Sequence, residues 1–157
     1  MLLWKHRIMK YNLLILTLTL SLSVSAEASV FSGSWRIDPI PNSTQSFELH
    51  ISQNGDNICG IHFGSARGGA KIDSSFGSEP KATISGTVTE GATEVTIISS
   101  QSEKPIEGII ALQQGVLVWN VINPQMHRIM TIPKSAQLKL IAPVDLGYRN
   151  LGVLCGL

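Results

Sequence analysis

The sequence predicts an all-β protein, an antiparallel up-and-down barrel of about eight strands with a two-sheet β-sandwich as the alternative, and three observations lead there. Beyond residue 30 apolar residues recur with a period of two, as in Phe47, Leu49 and Ile51 alternating with Glu48, His50 and Ser52, which is the spacing of a strand that buries one face. Runs rich in Val, Ile, Thr and Phe return about every ten residues, with Gly, Asn and Pro turn signals between them. Charged residues make up 15% of the 157-residue chain, below the roughly 25% of an average soluble protein. Short strands joined in sequence by tight turns close most simply into a barrel, which leaves no open sheet edge.

Residues 1–26 read as an export signal. Lys5, Arg7 and Lys10 supply a positive start, Leu13 to Leu20 an apolar run, and Val24-Ser25-Ala26 a small-residue cleavage site before Glu27. The apolar run is shorter than the roughly 20 residues of a membrane-spanning helix. A periplasmic or secreted product without stable membrane insertion is therefore expected. Met9 alone would open a compact signal, which suggests that translation starts there. Cleavage after Ala26 leaves residues 27–157, one domain's worth of chain, divided into a barrel over 27–140 and an irregular tail over 141–157. That portion holds nine basic residues against eleven acidic ones, a net of −2, so it has no basic excess to attract nucleic acid or anionic lipid.

The first strand is predicted at Phe31 to Ile37 and must end at Asp38-Pro39-Ile40-Pro41-Asn42, where proline interrupts the ladder. In the next hairpin a one-residue slip would send a whole apolar set to the wrong face. A three-residue loop, Asn54-Gly55-Asp56, then sets Ile51 opposite Cys59, Leu49 opposite Ile61 and Phe47 opposite Phe63. It also sets Glu48 opposite His62 and His50 opposite Gly60 on the polar face, with Cys59 pointing into the core. Residues 64–80 lack clear alternation and form the most flexible segment, interrupted by a short strand at Lys71 to Asp73.

A second hairpin joins Ala82, Ile84 and Val88 to Val95 and Ile97. Its Gly91-Ala92 turn of type II′ places Val88 opposite Val95 and Gly86 opposite Ile97. A third runs Gly108 to Leu112 and Val116 to Ile122 around Gln113-Gln114-Gly115, pairing Leu112 with Val116 and Ile110 with Val118. Ile109, Ala111, Leu117, Trp119 and Val121 then occupy its other face, so this hairpin is buried on both sides, covered by the tail, or used as an interface. Strands at Met126 to Ile132 and at Ala136, Leu138 and Leu140 complete the pattern, which dissolves from Ile141 onward.

The opening Phe31-Ser32-Gly33-Ser34-Trp35 carries a Gly-x-Trp. Together with the strand count it resembles the start of calycin-type barrels, the lipocalins and avidins, and the resemblance implies that the Trp35 indole closes one barrel end. Avidin-like sites resemble an aromatic box of several tryptophans, whereas residues 27–157 hold Trp35 and Trp119 alone, so biotin is not the implied ligand. The succession Gly-x-Trp, Gln53-Asn54-Gly55 and a Gly-rich loop leading into Lys71-Ile72-Asp73 also resembles small uncharacterised β proteins exported by proteobacteria.

Cys59 and Cys155 are the two cysteines of the chain. In an oxidising compartment they predict a disulfide that staples the C-terminal tail to an early strand; the other reading keeps Cys59 as a small buried hydrophobe and Cys155 as a loose thiol. His50, His62 and His127 are the histidines that follow the signal. Glu48 and His62 across a hairpin could offer zinc two ligands, but a third has no place. A cross-strand ion pair is the expected reading, with neither metal nor cofactor. Residues 64–71 lack the Gly-Lys-Ser/Thr ending of a phosphate-binding loop.

Arg67, beside Gly68 and Gly69, offers a planar fork of donors where the backbone can be approached closely, suited to an anion or a partner's carboxylate. As a mere linker, the same loop leaves Arg67 in solvent or paired to Asp73. Trp119 either lines a cavity or interface or is plain core. No nucleophile elbow, spaced carboxylate pair or catalytic cysteine signature is present, so no enzyme is expected.

Two functions of different class follow as expectations. One is an exported module that binds a small apolar or amphipathic molecule at the open barrel end, beside residues 64–80, and it requires an interior cavity. The other is a protein-binding or inhibitory module that engages an enzyme or a second copy through the Arg67 loop or the hairpin around Trp119, with a filled interior and an exposed apolar patch. Arg67, Gly68, Lys71, Asp73 and Trp119 are the candidate ligand- or partner-binding residues.

Overall fold

Apolar residues alternating along short runs produce nine strands: β1 (Gly33–Ile37), β2 (Ser46–Asn54), β3 (Asn57–Ala66), β4 (Lys71–Ser74), β5 (Ile84–Thr87), β6 (Thr93–Ile97), β7 (Ile106–Gln113), β8 (Val116–Val121) and β9 (Ser135–Ala142), followed by one short helix, α1 (Leu151–Cys155). The computed structural model describes residues 30–39, 43–74, 81–90, 92–122, 129–142 and 151–156. Neighbouring strands pair antiparallel in chain order and β9 returns to β1, which closes the predicted up-and-down barrel with eight strands and leaves β4 outside the circuit. β3 makes the excursion possible. One of its edges pairs with β2 along its whole length, and the other is divided between β5 at Asn57 to Gly60 and β4 at Phe63 to Ala66.

The inward positions carry the core. Trp35, Phe47, Leu49, Ile51, Ile84, Ile97, Ile110, Leu117, Trp119 and Leu138 are all buried in one apolar cluster, and each such side chain contributes about 1.5–3 kcal/mol relative to exposure. Glycine makes room for the largest of them, since a β-carbon on Gly108 would run into the Trp119 indole. Phe47 and Trp119 meet with ring centroids 6.0 Å apart.

Three registers differ from those predicted. The first hairpin turns on two residues, Gly55 and Asp56, with Gly55 at φ +55°. Phe47 therefore faces Gly64, Leu49 faces His62 and Ile51 faces Gly60. The prediction matched bulky residues with one another, but a curved, close-packed interior alternates large with small. As a result Glu48 lies opposite Phe63 and not His62, His62 points inward, and Cys59 points outward.

In the second hairpin Gly86 pairs with Val95 and Ile84 with Ile97, two residues away from the expected pairing. A slip of two preserves the buried face. The third hairpin turns on Gln114 and Gly115, at φ +51° and +81°, because a two-residue loop of type I′ needs positive φ at both positions. Ile110 then faces Trp119 and Leu112 faces Leu117, which sends Trp119 into the core and Val116 and Val118 outward.

The segment from residue 64 carries more strand than expected. β3 continues to Ala66, and a tight turn over 67–70 leads directly into β4; residues 75–80 lie outside the described residues. The first strand begins at Gly33, β9 extends to Ala142, and residues 129–132 of the expected strand at Met126 to Ile132 are not in a strand. The signal, residues 126–128 with His127, and residues 143–150 of the tail lie outside the described residues.

Cys59 and Cys155 form the predicted disulfide, bridging 96 positions of sequence. In the chain-entropy picture a loop of this size restricts the unfolded ensemble by about 4–5 kcal/mol. The bridge lays α1 on the outer face of β2 and β3, so the described part of the tail, residues 151–156, lies on the first hairpin. No helix among the described residues is long and apolar enough to cross a membrane.

Candidate functional site

At the barrel end opposite the Gly55–Asp56 turn, the connections between strands fold together around one buried carboxylate. Asp73 enters from β4, which extends beyond the barrel circuit because β3 is long enough to pair with both β4 and β5. The Ser99 hydroxyl donates to Asp73 Oδ2. The Ser100 main-chain N–H and hydroxyl both donate to Oδ1 at 2.9 Å, and Thr131 Oγ1 lies 3.3 Å from Oδ2. Asp73, His62 and Thr131 are fully buried. Gly64 admits this packing, because a β-carbon there would meet the Thr131 backbone.

His62 completes the cluster from β3. Its main-chain N–H donates to Thr83 Oγ1 at 3.0 Å, and its Nδ1 lies 2.9 Å from the same oxygen. With the Thr83 oxygen accepting from the main chain, its own proton is free for Nδ1, which favours the tautomer carrying the ring proton on Nε2. Nε2 stands 3.4 Å from Asp73 Oδ2, an electrostatic contact that falls outside hydrogen-bond geometry. Burial by itself would raise the Asp73 carboxyl. The His62 ring, the Ser99 hydroxyl and the Ser100 amide outweigh it and hold the group well below the usual carboxylate range.

A serine, a histidine and an aspartate thus meet, but not in the order of a nucleophilic triad, where the base touches the nucleophile and the acid orients the base. Here the carboxylate stands between Ser99 and His62, and the imidazole turns its other nitrogen to Thr83. The arrangement ties β3, β4 and two interstrand connections together and presents no activated oxygen to solvent.

The candidate binding residues separate in space. Arg67, Gly68 and Lys71 lie exposed on the β3–β4 hairpin, with Arg67 at φ +54° and Gly68 at φ +65°. Asp73 is buried in the network and therefore does not partner Arg67. Trp119 is fully buried, donating from Nε1 to the Pro133 carbonyl at 2.8 Å. Glu48 pairs on the outer surface with Arg36 at 2.8 Å and with His50 at 3.5 Å. These contacts lower its carboxyl below the usual value, His50 contributing most and Arg36 adding to it. Among the described residues no three His, Cys, Asp or Glu side chains gather to hold a metal ion. Sequence reasoning missed the pairing of His62 with Asp73. Its signal was the phase Ile58, Gly60, His62, Gly64, which a two-residue turn carries to the inside.

A concavity lies on the outer face of β5, β6 and β7. It is an open groove of about 770 Å³ lined by Thr87, Glu94, Thr96, Glu107, Ile109 and Ile122, among others.

Fold and site together define a closed, eight-stranded antiparallel barrel with one extra strand, an architecture compatible with a calycin-like barrel. Compared with protein-family models, curated proteins and solved structures, the chain matches none.

Proposed function

We propose that this chain is an exported, non-enzymatic module that binds another protein through the Arg67–Ala70 turn and the adjoining Lys71. The apolar cluster carries this reading: Trp35, Phe47, Trp119 and the inward isoleucines are buried together inside the barrel, and bulky inward side chains compete with an enclosed ligand for that space. β4 stands outside the barrel circuit, and the turn that joins it to β3 is exposed at all four residues. Arg67 and Lys71 flank residues 68–70, and the next residue, Ile72, is 55% exposed. Two cations beside an exposed apolar side chain suit a partner surface that combines a carboxylate with an apolar contact. The export signal read in residues 1–26 and the Cys59–Cys155 bridge support an oxidising compartment, and the barrel architecture supports a calycin-like scaffold.

A second reading rests on the outer groove, whose hydroxyl and carboxylate lining suits a small polar or cationic molecule. Native mass spectrometry of protein recovered from its own compartment separates the two. A protein adduct that disappears in an Arg67→Ala/Lys71→Ala variant of unchanged thermal midpoint supports the hairpin. A small-molecule adduct retained by both forms overturns it in favour of the groove.

A further inference from the structure

We propose that α1 is a thiol-releasable strap: reduction of Cys59–Cys155 frees the C-terminal segment and uncovers an apolar patch on the outer face of β2 and β3 while the barrel stays closed. This inference does not depend on which partner or ligand the protein binds.

Five observations carry it. The barrel closes without the tail, since the ladder from β1 to β9 completes the circuit and the main core cluster contains no residue of α1. α1 lies against β2 and β3. Ile61 points outward from β3 yet is fully buried, and Leu151 on the first turn of α1 is 1% exposed; both stand outside the barrel cluster. The helix is five residues long and includes Gly152, far short of the roughly 12–15 residues at which an isolated helix becomes even marginally stable in water. Val153 on the same helix is 83% exposed, so little apolar burial is available to hold α1 once the covalent tie is gone. Finally, Cys59 and Cys155 are both partly exposed.

The chemistry balances with a dithiol as reductant. One thiolate attacks a sulfur of the bridge, forming a mixed disulfide and expelling the other cysteine as a thiolate that takes up a proton. The second thiol then displaces the remaining cysteine. The protein gains two electrons and two protons, and the reductant leaves as a disulfide.

The test treats the folded, oxidised chain with dithiothreitol and exposes it briefly to a non-specific protease. All samples are fully reduced after quenching, so that a cut tail is counted equally in both. The expected result is a mass gain of two protons, cleavage within Leu151–Cys155 at least tenfold faster, increased fluorescence of an apolar dye, and unchanged near-ultraviolet dichroism from Trp35 and Trp119. A bridge that resists dithiothreitol in the folded protein overturns the proposal, as does a reduced tail that is cut no faster. Collapse of the tryptophan signal on reduction overturns it too, because the bridge would then hold the barrel itself. A Cys59→Ser/Cys155→Ser variant should match the reduced protein in cleavage rate without any reductant.

Discussion

The two ends of the barrel are closed by different physics. At the end where the chain enters, Trp35 donates from Nε1 to the Phe31 carbonyl at 2.9 Å, Phe31 is itself buried, and Gln53 ties the same corner to Phe31 and Ser32. Those groups come from β1, the residues just before it, and the end of β2. At the far end Asp73 draws together groups from β4, from the β6–β7 connection and from the β8–β9 connection, up to 58 positions away. An indole over an apolar interior works at any pH. A carboxylate that gathers donors works while it is ionised, and the far end is thus conditional where the near end is not.

Asp73→Ala should erase the far closure. It leaves the Ser99, Ser100 and Thr131 donors and the His62 ring without their acceptor inside the protein, which corresponds to about 3–5 kcal/mol. The shift of the urea midpoint measures it, and a loss below about 1 kcal/mol would mean that the network does not hold this end. Acid should sharpen the contrast without mutation. Because the folded Asp73 carboxyl is held below its ordinary value of 3.8, its contribution is complete above that pH and is lost as pH falls from there towards the folded value. Glu48, also lowered in the fold from 4.5, adds a loss of the same sign, so an Asp73→Asn variant is needed to isolate the buried group. Urea titrations across the acid range should show a shallower decline for Asp73→Asn than for the parent.

Trp35→Phe probes the near end. It keeps a ring in place and removes one buried donor, for a loss of about 1 kcal/mol that should be equal at neutral and acid pH. A loss that grew with acid would break the distinction between the ends. The smallest effect is expected from Arg36→Ala, which removes a pair whose guanidinium is 48% exposed. About 0.5 kcal/mol or less is expected, and added salt should reduce the difference in urea midpoint further.

The barrel was legible in the sequence because period-two alternation and turn spacing are local signals, and both survive a mistaken register by an even number of residues. The hairpin from Ile84 to Ile97 illustrates this, since its slip of two left Ile84, Val95 and Ile97 on the buried face. The cysteine pair was legible for a compartmental reason independent of geometry. The buried network was not, because the loop at Asn54-Gly55-Asp56 was counted one residue too long. That single step turned His62 outward and Cys59 inward on paper. Gln114 misled in the same way: glutamine seldom occupies positive φ, so the type I′ turn it forms with Gly115 looked like a longer loop. Asp73 was recognised as a residue of interest and set on a short strand, but its partners were not, since Ser99 and Thr131 are brought to it only by the closed barrel.

Closure through β9 and β1 has a kinetic corollary. The strand that completes the circuit spans Ser135–Ala142 and must find Gly33–Ile37, about a hundred positions earlier. Until it arrives, β1 and β8 each present an unpaired edge open to another chain. A non-local final pairing of this kind makes for slow folding and prolonged exposure to aggregation. A nascent chain truncated just before Ser135 should therefore remain an open sheet with the edges of β1 and β8 unpaired, and it is the strand Ser135–Ala142 that covers both.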